Sequence, residues 1–193
     1  MRFPLPFVPT TTYKGGNGFG GNRDKVRKGL VHAANDLAAP SGTPVLAMDS
    51  GTVIRTTPFF FNTLALEVRH PRFIARYCEI DTQVEVQAGD TVKEGQVIAY
   101  VGDQPGDDML HLEFFLGSLT GDLSFKAGTH PPYDRRDDVF NGVKFLDWTV
   151  NTVIYKTAGK HKYEYETDSD GRKFLVNNPV GDFPMRKGGP GVA

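Results

Sequence analysis

Short stretches with the pattern of β-strands recur along the middle of the chain, and glycine-containing turns separate them. Residues 64–70 alternate apolar and polar side chains, which is typical of a strand with one buried face. Similar short stretches are found at 43–48, 52–56, 72–80, 96–101 and 109–116. This pattern predicts a mainly β protein with an antiparallel β-sandwich or open-barrel core.

The same pattern divides the chain into three segments. Residues 1–22 are rich in proline, then threonine, then glycine, and are expected to form an irregular N-terminal lead-in. Residues 23–117 contain the strand pattern and are expected to form the core. Residues 118–193 form a C-terminal extension, in which two short strands between 162 and 176 predict a β-hairpin.

The stretches outside this strand pattern are less regular. A helix fits best at 142–150, and a further strand at 153–155. The glycine-rich run 15–22 lacks the frame of a phosphate-binding loop and is interpreted as an irregular loop, or alternatively as the edge of an active-site groove. The charged cluster 134–138 is interpreted as a solvated loop. The aromatic run 59–61 is interpreted as a packed loop, with contact to a substrate as the alternative.

Composition and charge argue against several classes of protein. The 22 Lys and Arg residues balance the 23 Asp and Glu residues, so nothing favours binding to nucleic acid or to an anionic membrane. No apolar run approaches the ~18 residues of a membrane-spanning helix. The single cysteine, Cys78, excludes an internal disulfide. The first nine residues include three prolines and are not interpreted as a signal peptide.

Three residues have the side chains that zinc prefers. His32 and Asp36 are four positions apart, and a turn rich in proline and glycine follows them at 40–44. His111 lies far downstream, in a short strand. Two histidines and one carboxylate leave the fourth zinc position to water, which is the arrangement of a catalytic site. The sequence therefore predicts one zinc ion held by His32, Asp36 and His111.

Three motifs in order carry a resemblance to a known family. They are His-x-x-x-Asp with its Pro-x-Gly-Thr-Pro-Val turn at 32–45, Val-Lys-x-Gly-Gln-Val-Ile-Ala-Tyr-Val-Gly at 92–102, and Leu-His-Leu-Glu-Phe at 110–114. In this order and spacing they resemble the lysostaphin/LytM family of zinc endopeptidases, which cut the peptide cross-links of bacterial peptidoglycan. The resemblance covers about residues 30–117.

The resemblance implies a compact antiparallel β core with a groove that holds one zinc ion. It places the first metal ligand at His32, the second at Asp36 and the third at His111. Glu113 falls where the family keeps an acid after the ligand histidine, and a carboxylate there orients the histidine ring.

Two histidines that assist catalysis in the family are replaced in this sequence. The family's Tyr-x-His-Leu stretch is here Tyr77-Cys78-Glu79-Ile80, and Met109 stands at the first histidine of the His-x-His pair. We expect Glu79 to act as the general base, which accepts a proton from water and passes it to the leaving amine. Strand alternation places Tyr77 on the same face as Glu79, where its hydroxyl would steady the oxyanion, and Cys78 on the opposite face.

The function that the resemblance implies is zinc-dependent hydrolysis of a peptide bond in a peptidoglycan stem or cross-bridge. The alternative is a catalytically inactive module that binds peptidoglycan or a protein partner, as a phage or secretion-system component would. A third interpretation is a zinc-free carbohydrate-binding module. Without a signal peptide, we expect synthesis in the cytoplasm and delivery to the cell wall or periplasm by a phage or secretion system. A delivery or immunity protein would then be a further partner.

Overall fold

A computed structural model describes residues 1–9, 13–157, 165–167 and 173–175. A 3-10 turn precedes the first strand, at Gly15–Asn17. The remaining elements, in chain order, are β1 (Ala34–Ala38), β2 (Pro44–Leu46), β3 (Gly51–Pro58), β4 (Leu64–Arg69), β5 (Ile74–Ile80), β6 (Thr91–Val92), β7 (Val97–Tyr100), β8 (Met109–Phe115), β9 (Val139–Phe140), α1 (Val143–Thr157), β10 (Tyr165–Thr167) and β11 (Lys173–Leu175).

Antiparallel pairing connects nearly all of these strands. The main sheet has the order β1-β8-β5-β4-β3-β6, with β9 added alongside β8. A second, two-stranded sheet pairs β2 with β7. The mainly antiparallel β core that the sequence predicts is therefore confirmed. β10 and β11 also pair, as the predicted hairpin requires, and the turn between them, 168–172, lies outside the described residues.

The first strand of the main sheet is absent from the sequence-based prediction, and it is the strand that positions the site. β1 pairs with β8 so that Asp36 lies directly opposite His111. Since successive strand residues point to opposite faces, these polar side chains occupy one face of the sheet. The neighbouring residues Leu37, Leu110 and Leu112 occupy the other face and are fully buried in the apolar core.

The N-terminal lead-in is irregular, as expected, but it contributes to the core. Phe3, Leu5 and Phe7 are almost completely buried. The backbone N–H of Leu46 donates to the carbonyl of Pro4, which fixes the lead-in against β2. Apolar side chains at alternate positions therefore cover one edge of the core without forming a strand.

The folded core continues past the predicted boundary at residue 117. β9 extends the main sheet, and Leu123 packs against Ile74 and Phe115 in a small apolar cluster. The prediction of a strand at 153–155 is wrong, because α1 runs through these residues. Within the described residues, no helix combines the length and apolar character that a membrane crossing requires.

The charged cluster 134–138 is largely buried, which corrects its interpretation as a solvated loop. Asp134, Arg136 and Asp138 are each about 5% exposed or less. Arg136 donates two hydrogen bonds to Asp138, at 2.6 and 3.0 Å. Asp134 accepts the N–H groups of Gly128 and His130. Buried charges persist when they are paired in this way, and sequence pattern alone does not reveal the pairing.

Gly142 provides a test of how closely the connection into α1 packs on the sheet. A Cβ atom at this position would lie 2.0 Å from the ring of Phe114. We expect Gly142→Ala to lower the free energy of unfolding by about 1–3 kcal/mol, because the buried ring must move. Gly16→Ala is the control, since nothing lies within 4 Å of its added Cβ. Equal denaturant stability of the two variants would contradict this packing.

Candidate metal centre

Three side chains, from two distant parts of the chain, converge where β1 pairs with β8. His111 Nδ1 lies 3.0 Å from Asp36 Oδ1, and His32 Nε2 lies 3.2 Å from the same oxygen. The two ring nitrogens are 3.3 Å apart. The structure thus brings together the three residues for which the sequence predicts zinc binding.

The other ring nitrogen of each histidine is held by a hydrogen-bond acceptor. His32 Nδ1 lies 3.0 Å from the carbonyl oxygen of Gly18, and a carbonyl only accepts. His111 Nε2 lies 3.2 Å from the carboxylate of Glu113. Each outer nitrogen therefore carries a hydrogen, and once the inner nitrogens are deprotonated, as metal binding requires, their lone pairs face the convergence point. The arrangement presents two nitrogen lone pairs and a carboxylate oxygen to one position.

This position stabilises positive charge. Burial disfavours a charged imidazole, but hydrogen bonds to Asp36 and Glu113, together with their charges, raise the pKa of His111 to about 9. Burial also disfavours a charged Asp36, and the hydrogen bonds of His111 and His32 nevertheless hold its pKa below the ordinary value. A divalent cation would satisfy the same three atoms with more charge.

The donor set fits zinc in both chemistry and spacing. Tetrahedral zinc takes nitrogen and carboxylate ligands at about 2.0–2.1 Å, which puts neighbouring ligand atoms about 3.3 Å from one another. The three separations at the convergence point, 3.0 to 3.3 Å, agree with that value. His32, Asp36 and His111 could therefore hold one zinc ion with little rearrangement.

The glycine-rich loop before β1 forms one side of the site, in agreement with the alternative interpretation of this run. Gly20 N–H donates to the carbonyl of His32, and His32 N–H donates to the carbonyl of Gly21. Together with the contact of Gly18, these bonds fix both the backbone and the ring of His32. A side chain at Gly21 would come within 2.5 Å of the Gly16 carbonyl oxygen, so the loop needs glycine there.

Arg23 also contacts the site, although nothing in the sequence pattern singles it out. One guanidinium nitrogen lies 3.3 Å from Asp36 Oδ2, the carboxylate oxygen that faces away from the histidines. Another donates to the carbonyl of Gly16 at 2.6 Å. Arg23 therefore links the glycine-rich loop to Asp36 and leaves Oδ1 at the convergence point.

Glu113 has the position that the resemblance implies. Its carboxylate is fully buried and accepts a hydrogen bond from His111. Burial disfavours the charge, but Arg135, the His111 bond and Arg76 hold the pKa of Glu113 well below its ordinary value. Glu113 thus stays ionised and orients the ring of His111. Arg135 lies in the charged cluster 134–138 and is absent from the predicted site.

Glu79 reaches the site through an irregularity in β5. Leu64 pairs with Ile80 and Ala65 pairs with Cys78, so Glu79 is a bulge with no partner on β4. Its backbone has a φ of 62°, in the left-handed region that side-chain-bearing residues rarely adopt. The carboxyl of Glu79 lies close enough to His111 and Asp36 for their charges to influence its pKa.

The carboxyl of Glu79 is buried, and its pKa lies above the ordinary value. Burial raises its pKa above the ordinary value, and the charge of His111 and a hydrogen bond from Gln104 oppose this shift. The Gln104 side-chain amide donates to Glu79 Oε2 at 2.9 Å. Gln104 comes from the loop between β7 and β8, and it is a further contact that the sequence pattern does not indicate.

Tyr77 does not take part in the site, which corrects the prediction that its hydroxyl steadies an oxyanion. The side chain is fully buried in the apolar core. Its hydroxyl accepts the N–H of Met48 at 3.0 Å and lies 3.0 Å from His70 Nε2. Tyr77 keeps the regular alternation of β5, which places it on the core face with Leu112, whereas Glu79 leaves that alternation at the bulge.

Cys78 pairs directly with His111 on the neighbouring strand, so it lies on the same face of the sheet as this candidate ligand. The sequence-based prediction reserves this face for Glu79 and places Cys78 on the opposite one. It is fully buried, and burial together with the charge of Glu113 raises the pKa of its thiol well above the ordinary value. A neutral thiol is a poor metal ligand and a poor nucleophile. Cys78 therefore packs beneath the site.

The aromatic run 59–61 lies beside the metal centre. The ring centroid of Phe59 lies 5.5 Å from that of His111. The guanidinium of Arg76 lies 5.3 Å from the same Phe59 centroid. Phe60 and Phe61 pack edge to face and are 52% and 61% exposed. Phe59 thus lies beside the candidate ligand His111, and Phe60 and Phe61 present exposed apolar surface.

The chain is similar to known peptidases over its core. Residues 30–121 match the family model described as Peptidase family M23. A curated relative, the peptidoglycan DD-endopeptidase ShyC of Vibrio cholerae serotype O1, is 31% identical over 92 residues. That match covers 46% of this chain and 21% of ShyC, so the chain spans about a fifth of the length of this relative.

Solved structures of similar fold include LytU and lysostaphin. LytU has a TM-score of 0.53 at 22% identity, over 70% of this chain and 87% of the LytU chain. The antimicrobial peptidase lysostaphin from Staphylococcus simulans has a TM-score of 0.52 at 17% identity, over 87% of this chain and 61% of that chain. The likeness establishes a common fold, a mainly antiparallel β core.

Removal of one ligand should abolish tight zinc binding. We expect His111→Ala to lower zinc affinity by at least ~100-fold, since even the residues around a metal ligand contribute 10–100-fold. His130→Ala is the control, because His130 pairs with Asp137 in an exposed contact away from the three ligands. Metal content after dialysis, measured by plasma mass spectrometry, checks the prediction. Equal zinc in both variants would exclude His111 as a ligand.

Proposed function

Because residues 30–121 form a LytM-type domain of peptidase family M23, we propose that this chain is a zinc-dependent endopeptidase. The proposed reaction is hydrolysis of a peptide bond in the stem or cross-bridge of bacterial peptidoglycan. The name of ShyC, a peptidoglycan DD-endopeptidase, supports this class of substrate. One zinc ion per chain is the proposed cofactor.

The observation that carries the proposal is the convergence of His32 Nε2, Asp36 Oδ1 and His111 Nδ1 within 3.3 Å of one another. Three protein ligands leave one coordination position for water or substrate, which distinguishes catalytic from purely structural zinc sites. When bound in such a site, zinc lowers the pKa of water to about 7 and polarises a carbonyl group.

Glu79 is the proposed general base. It would take a proton from the attacking water and give it to the leaving amine, as a carboxyl with a raised pKa is suited to do. The Gln104 amide engages Oε2, so Oε1 is the atom available to accept the proton. The strained backbone at Glu79 supports a functional role, because such strain is commonly retained at active sites.

A second candidate function is a binding groove without catalysis. Met109 favours it, because a thioether at the position of a family histidine cannot carry a proton. Under this alternative, the zinc ion would stabilise the groove, and the module would bind peptidoglycan or a protein partner. A phage or secretion-system component would fit this description.

The site of action is proposed to be the bacterial cell wall or periplasm, because that is where the substrate is found. Delivery by a phage or secretion system, and an antibacterial role, belong to the same proposal. A delivery or immunity protein is the corresponding partner.

Mass spectrometry of muropeptides released from purified cell walls tests the proposal. We expect the zinc-loaded protein to produce new peptide termini, and Glu79→Gln to lower the rate by ~10²–10⁴-fold, the usual contribution of a general base. Glu85→Gln is the control, since this side chain is exposed and makes none of the contacts described at the candidate metal centre. The mass of each fragment identifies the bond that is cut.

The other outcomes separate the alternatives. Full activity in Glu79→Gln would retain the enzyme and exclude Glu79 as its base. Binding of zinc without cleavage of walls of several cross-link types would favour the inactive groove. Binding to walls without zinc would favour a carbohydrate-binding module.

A further inference from the structure

Glu113 is a buried carboxylate whose position depends on its cationic partners. Its side chain has no exposed surface. Arg135 contacts Oε1 through two nitrogens, at 2.7 Å from Nε and 2.6 Å from the terminal nitrogen. His111 Nε2 shares the same oxygen at 3.2 Å. A buried carboxylate remains charged and ordered only when such partners compensate for the loss of water.

Arg76 is the second cation beside Glu113, but it is shared. It lies 3.3 Å from Glu113 Oε2, and its Nε lies 3.6 Å from a carboxylate oxygen of Glu67. The latter separation is too long for a hydrogen bond. The contact of Arg76 with Glu113 is thus longer than the contacts of Arg135. It also involves Oε2, whereas His111 contacts Oε1. The short contacts that fix Oε1 come from Arg135.

Arg135 reaches this position from outside the family-matched region, which ends at residue 121. It lies on an excursion of the chain, residues 122–138, which we call the tongue. The tongue folds back on itself, since Arg135 bridges to Ser124 and Phe125 N–H donates to the carbonyl of Asp134. The Asp134 carboxylate closes the turn by accepting backbone N–H groups.

The tongue also contacts the segment that carries the other histidine ligand. The N–H of Val31, next to His32, donates to the carbonyl of Pro132 at 3.0 Å. Arg27 pairs with Asp134 at 2.6 Å, and the ring of Tyr133 packs on that of Phe19. The tongue is therefore held on the His32 side of the site while Arg135 contacts Glu113.

We propose that Arg135 is a positioning residue for the candidate metal centre, supplied by a segment beyond the family-matched residues 30–121. This inference rests on the proposed function. The guanidinium fixes Glu113 Oε1, Glu113 holds the Nε2 hydrogen of His111, and the His111 Nδ1 lone pair then faces Asp36. Without Arg135, Oε1 keeps only the His111 contact, and the carboxylate is drawn toward Arg76. The ring then loses its fixed orientation toward the metal.

The experiment compares zinc affinity in Arg135→Met, Arg135→Lys and Arg27→Met, measured by competition with a chromophoric chelator. We expect Arg135→Met to lose ~10–100-fold in affinity, as loss of a group that orients a ligand does. Arg135→Lys should recover part of this loss, because one ammonium supplies charge but not both nitrogen contacts to Oε1.

Arg27→Met is the matched control. It is the same substitution in a cation that anchors the tongue with an ion pair of the same 2.6 Å length, but it leaves Glu113 untouched. We expect its zinc affinity to stay within about threefold of the wild type, which is the usual effect of a partly exposed substitution. Far-UV circular dichroism verifies that each variant is folded.

Cobalt substitution supplies a readout that a general loss of stability would not change. We expect the visible absorption bands of the cobalt-loaded Arg135 variants to shift, because the ligand His111 changes orientation, and those of Arg27→Met to match the wild type. If Arg135→Met does not fold, Arg135→Lys carries the same comparison. Wild-type affinity and spectrum in the folded Arg135 variants would overturn the inference.

Three further outcomes are distinct. An equal loss of affinity in Arg27→Met and Arg135→Met would overturn the inference, because the effect would then belong to the tongue as a whole. A wild-type protein that binds no zinc would overturn both the inference and the proposed function. A wild-type protein that binds zinc while Arg135 has no effect would leave the proposed function in place.

Discussion

The pairing register of β1 with β8 is the constraint on which the rest of the site depends. It puts Asp36 opposite His111 and leaves the intervening leucines to the core. A slip of one residue would exchange the two faces, burying the carboxylate and exposing the apolar side chains. The core therefore enforces the register, and the register brings the ligands together. His32 needs only to precede β1, with its ring held by the Gly18 carbonyl.

Buried charge surrounds this site on the sheet. Glu67, Arg76 and Glu113 are linked across the neighbouring strands β4, β5 and β8, Arg135 joins them from the tongue, and all four are largely buried. Such pairs give little net stability, because the loss of hydration offsets their attraction. What they provide is a defined position for each carboxylate. In this protein, the chain of contacts ends at His111, where a fixed ring orientation has a chemical use.

Backbone strain plays the corresponding role on the other side of the site. The bulge at Glu79 leaves this residue without a partner on β4, and the charges of His111 and Asp36 influence the pKa of its carboxyl. Gly102 accommodates the bulge, since its N–H donates to the Glu79 carbonyl and a side chain there would lie 3.0 Å from that oxygen. Tyr77 keeps the regular alternation and stays in the core.

The sequence by itself determined the mainly β class, most of the strands and the three residues of ligand type. These follow from local patterns, such as alternation along 64–70 and the motifs around His32 and His111, which need no knowledge of distant contacts. The face on which Glu79 lies, the burial of Arg135 and the role of the glycine-rich loop depended on tertiary structure. A bulge breaks the period of two, and a buried ion pair joins residues far apart in the chain. Neither leaves a local signal in the sequence.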